Sequence, residues 1–247
     1  MGNIMNEWEE VQDLIANYKP PAEAHELLSR MAAVFMVGIT GAGKDAMAHG
    51  IMEKHPDQYV WLVSYVTRHP RMENGQMERD GDKYHFVDNA RILAMLQNHE
   101  FVEAEIVHQE VRATALADLQ AVNEAGKIAI KTVDIQGAGE LCEMSDNIRA
   151  IFILPPSYEV WYARFENRYG LAGDDTADVK KRLESAVMEL DTALSSDFLS
   201  FMINDDLDEA VALADRIARG EVSTHDDPAP RAVARELLER ITERLES

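Results

Sequence analysis

The sequence predicts an α/β fold in which a parallel sheet carries helices on both faces. The first observation is a phosphate-binding loop: residues 38–45 read G-I-T-G-A-G-K-D, between a short apolar run and a helix-forming stretch. The second is that apolar, strand-like runs alternate with helical stretches along the chain, which is the pattern of repeated β-α units. These runs are residues 33–37, 60–66, 127–133, 148–154 and 198–203.

The loop at residues 38–45 predicts a nucleotide phosphate site. Its glycines allow backbone N–H groups to close around a phosphate at the N-terminus of the following helix. Lys44 would place a positive charge on the β- and γ-phosphates. Asp45 stands where a Ser or Thr usually ligates Mg²⁺, so we expect an altered metal position with Asp45 as the candidate ligand. The loop residues predicted to bind ATP are Gly38, Thr40, Gly41, Ala42, Gly43, Lys44 and Asp45.

The composition argues against several classes of binding partner and site. The chain of 247 residues carries 24 Lys and Arg against 45 Asp and Glu, for a formal net charge of −21. Such a surface repels nucleic acids and anionic membranes, so we expect neither as a partner. A single cysteine, Cys142, excludes an intramolecular disulfide and a cysteine metal cage. The N-terminus does not resemble a signal peptide and no apolar run is long enough to span a bilayer, so we expect a cytoplasmic protein.

Helical spacing of apolar residues predicts an amphipathic helix near each end of the chain. In residues 4–18 the spaced positions are Ile4, Trp8, Val11, Ile15 and Tyr18. In the last helix they are Val233, Leu237, Leu238, Ile241 and Leu245. A short helix at 22–30 leads into the first strand, and residues 220–230 form a polar, proline-containing linker. The apolar faces of the two end helices either pack on the core or form a homodimer interface.

Several further motifs occur in a fixed order after the loop. They read V-S-Y-V-T-R-H-P-R, G-D-K-Y-H-F-V, E-F-V-E-A-E, K-T-V-D-I-Q-G-A and N-D-D-L-D-E-A. Together with the phosphate-binding loop, this order resembles guanylate kinases and related guanylate-kinase-like domains. The resemblance covers about residues 34–215.

This resemblance implies a three-layer P-loop NTPase fold with a central parallel sheet, a small mixed α/β nucleoside-monophosphate-binding subdomain and a helical lid. The subdomain would lie at about residues 64–115 and the lid at about 157–190. Both would belong to a domain at 32–219, preceded by a helical extension at 1–31 and followed by the linker and last helix at 220–247.

The resemblance also implies a role for each matched residue in ATP-dependent, Mg²⁺-dependent phosphorylation of GMP. The residues implied to bind GMP are Ser64, Arg68, Arg71, Tyr84, Glu103, Arg112, Thr114 and Asp134. The residues implied to carry charge in catalysis are Lys44, Arg68, Arg164 and Arg182, while Arg168 and Asn204 would contact ATP. A carboxylate suits guanine because the N1–H and the N2 amine are adjacent donors.

Four departures from the family pattern leave alternatives open. They are Asp45 in the loop, Thr132 in place of an acidic residue, Arg112 in place of a phosphate-binding tyrosine, and a longer segment between Arg71 and Tyr84. The leading interpretation is an ATP:GMP phosphotransferase. The alternatives are a related kinase with another acceptor, such as a ribose bisphosphate, and a guanylate-kinase-like binding module with impaired catalysis.

Overall fold

The computed structural model describes residues 6–73, 76–107, 109–169 and 177–246. Helices and strands alternate over these ranges. In chain order the elements are α1 (Glu7–Ala16), α2 (Ala22–Arg30), β1 (Ala33–Val37), α3 (Lys44–Lys54), β2 (Tyr59–Trp61), β3 (Ser64–Val66), β4 (Met72–Glu73), β5 (Gln76–Met77), β6 (Tyr84–Phe86), α4 (Asn89–Gln97), β7 (Phe101–Val107), β8 (Glu110–Ala115), α5 (Leu116–Glu124), β9 (Ile128–Thr132), α6 (Ile135–Cys142), β10 (Ile148–Leu154), α7 (Tyr158–Tyr169), α8 (Ala177–Ser195), β11 (Leu199–Ile203), α9 (Leu207–Ala218) and α10 (Pro228–Glu246).

Within the described ranges, five strands form a central sheet in the order β11-β10-β1-β9-β2. β1 pairs in parallel with β10 and β10 in parallel with β11, and helices pack on both faces. Every residue of β1 is buried, which explains why its sequence is a continuous apolar run rather than an alternating one. The predicted α/β fold with a central parallel sheet is confirmed. Because parallel strands end at one edge, the loops that follow β1, β10 and β11 lie together there.

The prediction of one strand at residues 60–66 is wrong. The chain forms β2 and β3 instead, and these strands belong to two different sheets. Apolar residues continue through the break because each strand packs into its own core. A continuous apolar run therefore gives no sign of the change from one sheet to the other.

The chain divides into two compact units. One contains the described residues up to Ala32 together with Val60–Ala129, and the other contains Ala33–Tyr59 and the described residues from Ile130 onward. The first unit holds a mixed sheet of order β6-β3-β8-β7, in which β3 is parallel to β6 and antiparallel to β8. The sheet lies within the predicted range 64–115, and the role of this range as an acceptor subdomain remains a prediction.

Helices α1 and α4 cover one face of that mixed sheet. The core between them includes Val11 of α1, Ile92 of α4, Phe101 of β7 and Val111 of β8, all fully buried. Tyr18, which follows α1, donates a hydrogen bond to the Phe101 carbonyl at 2.8 Å and accepts one from the Phe101 N–H at 3.0 Å. The first helix is thus part of this unit's core and is tied to β7.

The last helix, α10, packs mainly against α8. Its buried residues include Leu237 and Ile241, on the face that the apolar spacing predicts. The helix begins at Pro228, inside the predicted linker, because prolines are tolerated in the first turn of a helix. Ile4, from the predicted first helix, lies outside the described residues, and homodimerisation remains a prediction. No described helix has both the length and the apolar composition needed to cross a bilayer.

Candidate functional site

The phosphate-binding loop after β1 has a backbone that requires glycine. Gly38, Gly41 and Gly43 adopt φ values of +140°, +83° and +100°. A Cβ atom on Gly38 would lie 2.5 Å from the Ile153 carbonyl oxygen, and one on Gly43 would lie 2.3 Å from the Asn204 Nδ2. Both distances are too short for a side chain. The loop is therefore closely packed against the ends of β10 and β11.

Lys44 is the first residue of α3, directly after the loop. Its ammonium group donates to the Gly38 carbonyl and, at 3.2 Å, to the Ile39 carbonyl. Burial lowers the pKa of Lys44, while the carboxylates of Glu189 and Asp45 act to raise it. The positive charge of Lys44 is therefore held within the loop.

Two side chains that the motif does not contain hold the loop from outside. The Trp161 indole of α7 donates to the Thr40 carbonyl at 2.9 Å, and the Asn204 amide after β11 donates to the Ala42 carbonyl at 3.0 Å. Trp161 is fully buried and Asn204 is 6% exposed. Asn204 therefore has a structural role in the loop that sequence analysis did not identify, and its contact with ATP remains a prediction.

The predicted lid falls on α7 and α8, while residues 170–176 of that segment lie outside the described residues. The Arg164 guanidinium donates to the Asn204 carbonyl at 3.4 Å, and its buried Nη1 has no hydrogen-bond partner among the described residues. The positive charge of Arg168 acts to lower the pKa of Lys44. Arg182 is exposed on α8. The structure thus places Arg164 and Arg168 beside the phosphate-binding loop.

The carboxylates near the loop include one that sequence analysis did not identify. The pKa of Glu189, on α8, is raised mainly because the carboxyl group is buried. The positive charge of Lys44 acts to lower this pKa and the negative charge of Asp134 acts to raise it. Asp134 caps α6, because its side chain accepts from the Gly137 N–H at 2.8 Å. Asp45 lies in the first turn of α3. In the described part of the chain, no three His, Cys, Asp or Glu side chains are grouped to hold a metal ion.

The mixed sheet of the other unit presents a polar face. Along β8, Val111 and Ala113 point into the α1–α4 core, so Arg112 and Thr114 lie on the opposite face. Thr114 is paired with Glu103 across the two strands and donates to its carboxylate at 2.6 Å. Thr114 is only 2% exposed and Glu103 is half-buried, so this hydrogen bond is partly shielded from water.

Seven of the eight residues predicted to bind GMP lie in the unit that contains this sheet. They are Ser64, Arg68, Arg71, Tyr84, Glu103, Arg112 and Thr114. Ser64 and Tyr84 are neighbours in the parallel β3–β6 pairing. The Arg68 guanidinium lies 4.8 Å from the centre of the Tyr84 ring and 5.3 Å from that of Phe86. Asp134 belongs to the other unit.

The two predicted phosphate-binding arginines are both paired with carboxylates. Arg68 donates from both terminal nitrogens to Glu78, at 2.5 and 2.7 Å, and Arg71 donates from a terminal nitrogen to Glu110. The hydrogen bond from Arg68 is the main reason that the pKa of Glu78 is lowered. Sequence analysis did not identify these two pairs. The one sequence feature that could have pointed to the Arg68–Glu78 pair is that Glu78 lies in the longer segment between Arg71 and Tyr84.

An open cleft of about 500 Å³ lies beside these arginines. Arg68 and Arg71 line it together with Trp8 of α1, Asn89 of α4 and Gln109. The first helix therefore contributes an aromatic ring next to the candidate acceptor site.

The chain matches the family model described as guanylate kinase over residues 30–219. That is most of its length. The chain belongs to the guanylate kinase family. A guanylate kinase from Aromatoleum aromaticum is 35% identical over 186 residues, covering 75% of this chain and 85% of that protein. The crystal structure of guanylate kinase from Anaplasma phagocytophilum matches with a TM-score of 0.56 and 25% identity, covering 85% of this chain and 95% of the other.

Guanylate kinases of plants share only part of their length with this chain. Guanylate kinase 1 of Oryza sativa is 32% identical over 177 residues, which covers 71% of this chain but 44% of the rice protein. This chain therefore spans less than half of that relative. Helices α1 and α10 lie outside the range that the guanylate kinase family model matches.

Proposed function

We propose that this chain transfers the γ-phosphoryl group of ATP to GMP, forming ADP and GDP. The observation that carries the proposal is the Glu103–Thr114 pair, which lies on the mixed sheet of a guanylate kinase family member. Arg68 and Tyr84 belong to the same unit as that pair.

Glu103 and Thr114 would recognise the guanine edge. The Glu103 carboxylate is fixed by Thr114 and retains acceptor capacity for the guanine N1–H and N2 amine. Adenine presents an acceptor at N1 in place of a donor, so it would set this acceptor against the carboxylate oxygens instead of hydrogen-bonding to them. Ser64, 4% exposed, would add a hydroxyl to this pocket.

The acceptor phosphate would bind Arg68, Arg71 and Tyr84, with Arg112 as an additional cation. An arginine fork matches phosphate geometry in a way that a lysine point charge does not. Asp134 is a further candidate on the sequence resemblance alone, and one of its oxygens is engaged in capping α6.

The donor ATP would bind the loop from Gly38 to Asp45, with Lys44 on its phosphates. Catalysis in this scheme comes from positioning and charge neutralisation, to which Arg164, Arg168 and Arg182 would add positive charge. Mg²⁺ would enter with ATP and neutralise phosphate charge. A hard oxygen ligand next to Lys44 fits that ion, and Asp45 supplies one. A small number of protein ligands is normal where phosphates and water complete the shell.

The loop geometry favours an enzyme over a binding module without catalysis. The glycine conformations and the position of Lys44 at the start of α3 support retained phosphate binding, which a module without nucleotide sites does not need. The Glu103–Thr114 pair favours an acceptor with a base over a ribose bisphosphate, which offers no base edge for these groups to bind.

The test is a coupled assay of purified full-length protein with ATP, Mg²⁺ and GMP. We expect formation of GDP and ADP in equal amounts, abolished when EDTA removes the metal. Turnover equal to that of a sample without enzyme would contradict the proposal.

A further inference from the structure

The Arg68 guanidinium is held by a carboxylate from its own chain. Both terminal nitrogens donate to Glu78, and Nη1 also donates to the His69 carbonyl at 3.1 Å. The side chains of Arg68 and Glu78 are 8% and 12% exposed. The fork that would grip a phosphate is therefore already occupied by an anion of similar geometry.

The position of Glu78 is set by a short hairpin. Strands β4 and β5 pair antiparallel, and Glu78 follows β5 directly. At the base of the hairpin the Arg71 N–H donates to the Glu78 carboxylate at 2.8 Å, and the Glu78 N–H donates to the Arg71 carbonyl at 3.0 Å. These hydrogen bonds hold the Glu78 carboxylate next to Arg68, which follows β3.

Little apolar burial holds this hairpin in place. Met72 and Met77, one on each strand, are 62% and 55% exposed. The hairpin is therefore attached mainly through the polar contacts at its base. Movement of the hairpin therefore exposes little additional methionine surface.

The charges around this pair already cancel. Arg68 and Arg71 carry two positive charges, while Glu78 and Glu110 carry two negative charges within ion-pair distance of them. A phosphate dianion that approaches therefore meets a neutral cluster on a strongly acidic protein. It can bind tightly only if a carboxylate gives way. The Arg68 Nε is buried, makes no hydrogen bond within the described ranges and lies 3.9 Å from a Glu110 carboxylate oxygen.

We infer that the Glu78 carboxylate is an internal competitor for the acceptor's phosphate, which must displace it from the Arg68 guanidinium in order to bind. Glu78 then sets the acceptor concentration at which the protein works: it weakens acceptor binding without taking part in the chemistry. The inference depends on the proposed function in one respect, namely that Arg68 receives a phosphate group. Because Arg68 lowers the pKa of Glu78, the competing carboxylate stays ionised throughout the neutral range.

The test compares wild type, Glu78→Gln and Asp82→Asn as full-length proteins. Asp82 is an exposed carboxylate in the same segment, so its variant matches the change in net charge without affecting Arg68. Calorimetry would measure binding of inorganic phosphate, and steady-state kinetics would measure KM and kcat for GMP. We expect Glu78→Gln to bind phosphate about tenfold more tightly and to lower KM by a similar factor with kcat unchanged, as for loss of one charge-assisted contact. Asp82→Asn should stay within about twofold of wild type, because exposed charges act weakly.

Other outcomes contradict the inference or the proposed function separately. Equal or weaker phosphate binding by Glu78→Gln, or a fall in kcat, would show that Glu78 positions Arg68 instead of competing for it. Absence of GMP turnover in every protein, with phosphate affinity still raised in Glu78→Gln, would leave the inference intact and overturn the proposed function.

A second measurement does not depend on the folding of the variant. In a crystal structure of the wild type with phosphate bound at Arg68, the Glu78 carboxylate should lie more than about 4 Å from the guanidinium, beyond ion-pair distance. Phosphate bound there with the Arg68–Glu78 pair intact would overturn the inference.

Discussion

The phosphate-binding loop at residues 38–45 (the proposed donor loop) and the proposed acceptor face, formed by Glu103 and Thr114 on the mixed sheet, are built on different principles. The loop after β1 is shaped by backbone: three glycines with positive φ, and carbonyls that accept from Lys44, Trp161 and Asn204. The acceptor face is built from side chains that pair with one another across a mixed sheet, as Glu103 does with Thr114. A site shaped by backbone tolerates few substitutions at its glycines. In a site built from paired side chains, substitution of one residue can change which ligand binds.

The largest effect should come from removing the charge at the donor loop. Lys44→Met leaves the phosphates without the ammonium group, and we expect kcat/KM to fall by about 10³ or more. The coupled GMP assay measures it. Lys54→Met is the matched control, since Lys54 lies on the same helix in a surface pair with Asp208 and should change activity little. Activity of Lys44→Met within tenfold of wild type would show that Lys44 does not bind the ATP phosphates during catalysis.

On the acceptor face, replacing one carboxylate by an amide should be enough to lower activity with GMP. Glu103→Gln replaces one acceptor oxygen with a donor that opposes the guanine N2 amine, so kcat/KM for GMP should fall by about 10²–10³. Glu100→Gln and Glu105→Gln test the choice among three nearby carboxylates and should stay within about fivefold of wild type if Glu103 is the ligand. A larger loss in Glu105→Gln than in Glu103→Gln would place the guanine contact elsewhere.

The backbone requirement of the donor loop can be measured as stability. Gly38→Ala places a Cβ 2.5 Å from the Ile153 carbonyl, so we expect a loss of about 2–4 kcal/mol in the free energy of unfolding. Gly126→Ala is the control: its φ is +65°, but a Cβ there meets no atom within 4 Å, and the expected loss is about 1 kcal/mol. Urea unfolding monitored by circular dichroism gives both values. Equal losses would mean that close packing at Gly38 is unimportant.

The smallest effect concerns the first helix and the acceptor sheet. Tyr18→Phe removes the two hydrogen bonds to the Phe101 backbone, at the strand that carries Glu103, and should cost about 1–2 kcal/mol. Hydrogen exchange at Phe101 should rise in this variant, while exchange in α3 stays unchanged. No change at Phe101 would show that α1 is held without Tyr18.

The contrast between backbone and side-chain sites also explains what could be predicted from the sequence. The donor loop is recognisable because glycines at a fixed spacing reflect a backbone requirement, and strand β1 matches the predicted range 33–37. The order of motifs indicated the fold and seven residues that share one unit.

Pairing between distant side chains could not be predicted in this way. Glu78 reaches Arg68 only because a hairpin turns the chain back, and Glu189 lies near Lys44 only because α8 packs there. The division of residues 60–66 between two sheets was hidden because both strands are apolar. In each case the missing information is three-dimensional, and no local pattern in the chain encodes it.

The proposal that matters most is that the acceptor is GMP, recognised through its guanine edge. Its most direct test is kcat/KM for GMP, AMP and a ribose bisphosphate, measured with ATP and Mg²⁺ on the full-length protein. We expect a preference for GMP over AMP of about 10⁴, since a half-buried carboxylate held by Thr114 rejects a base that lacks matching donors. Faster turnover of the ribose bisphosphate, or equal turnover of AMP and GMP, would contradict it.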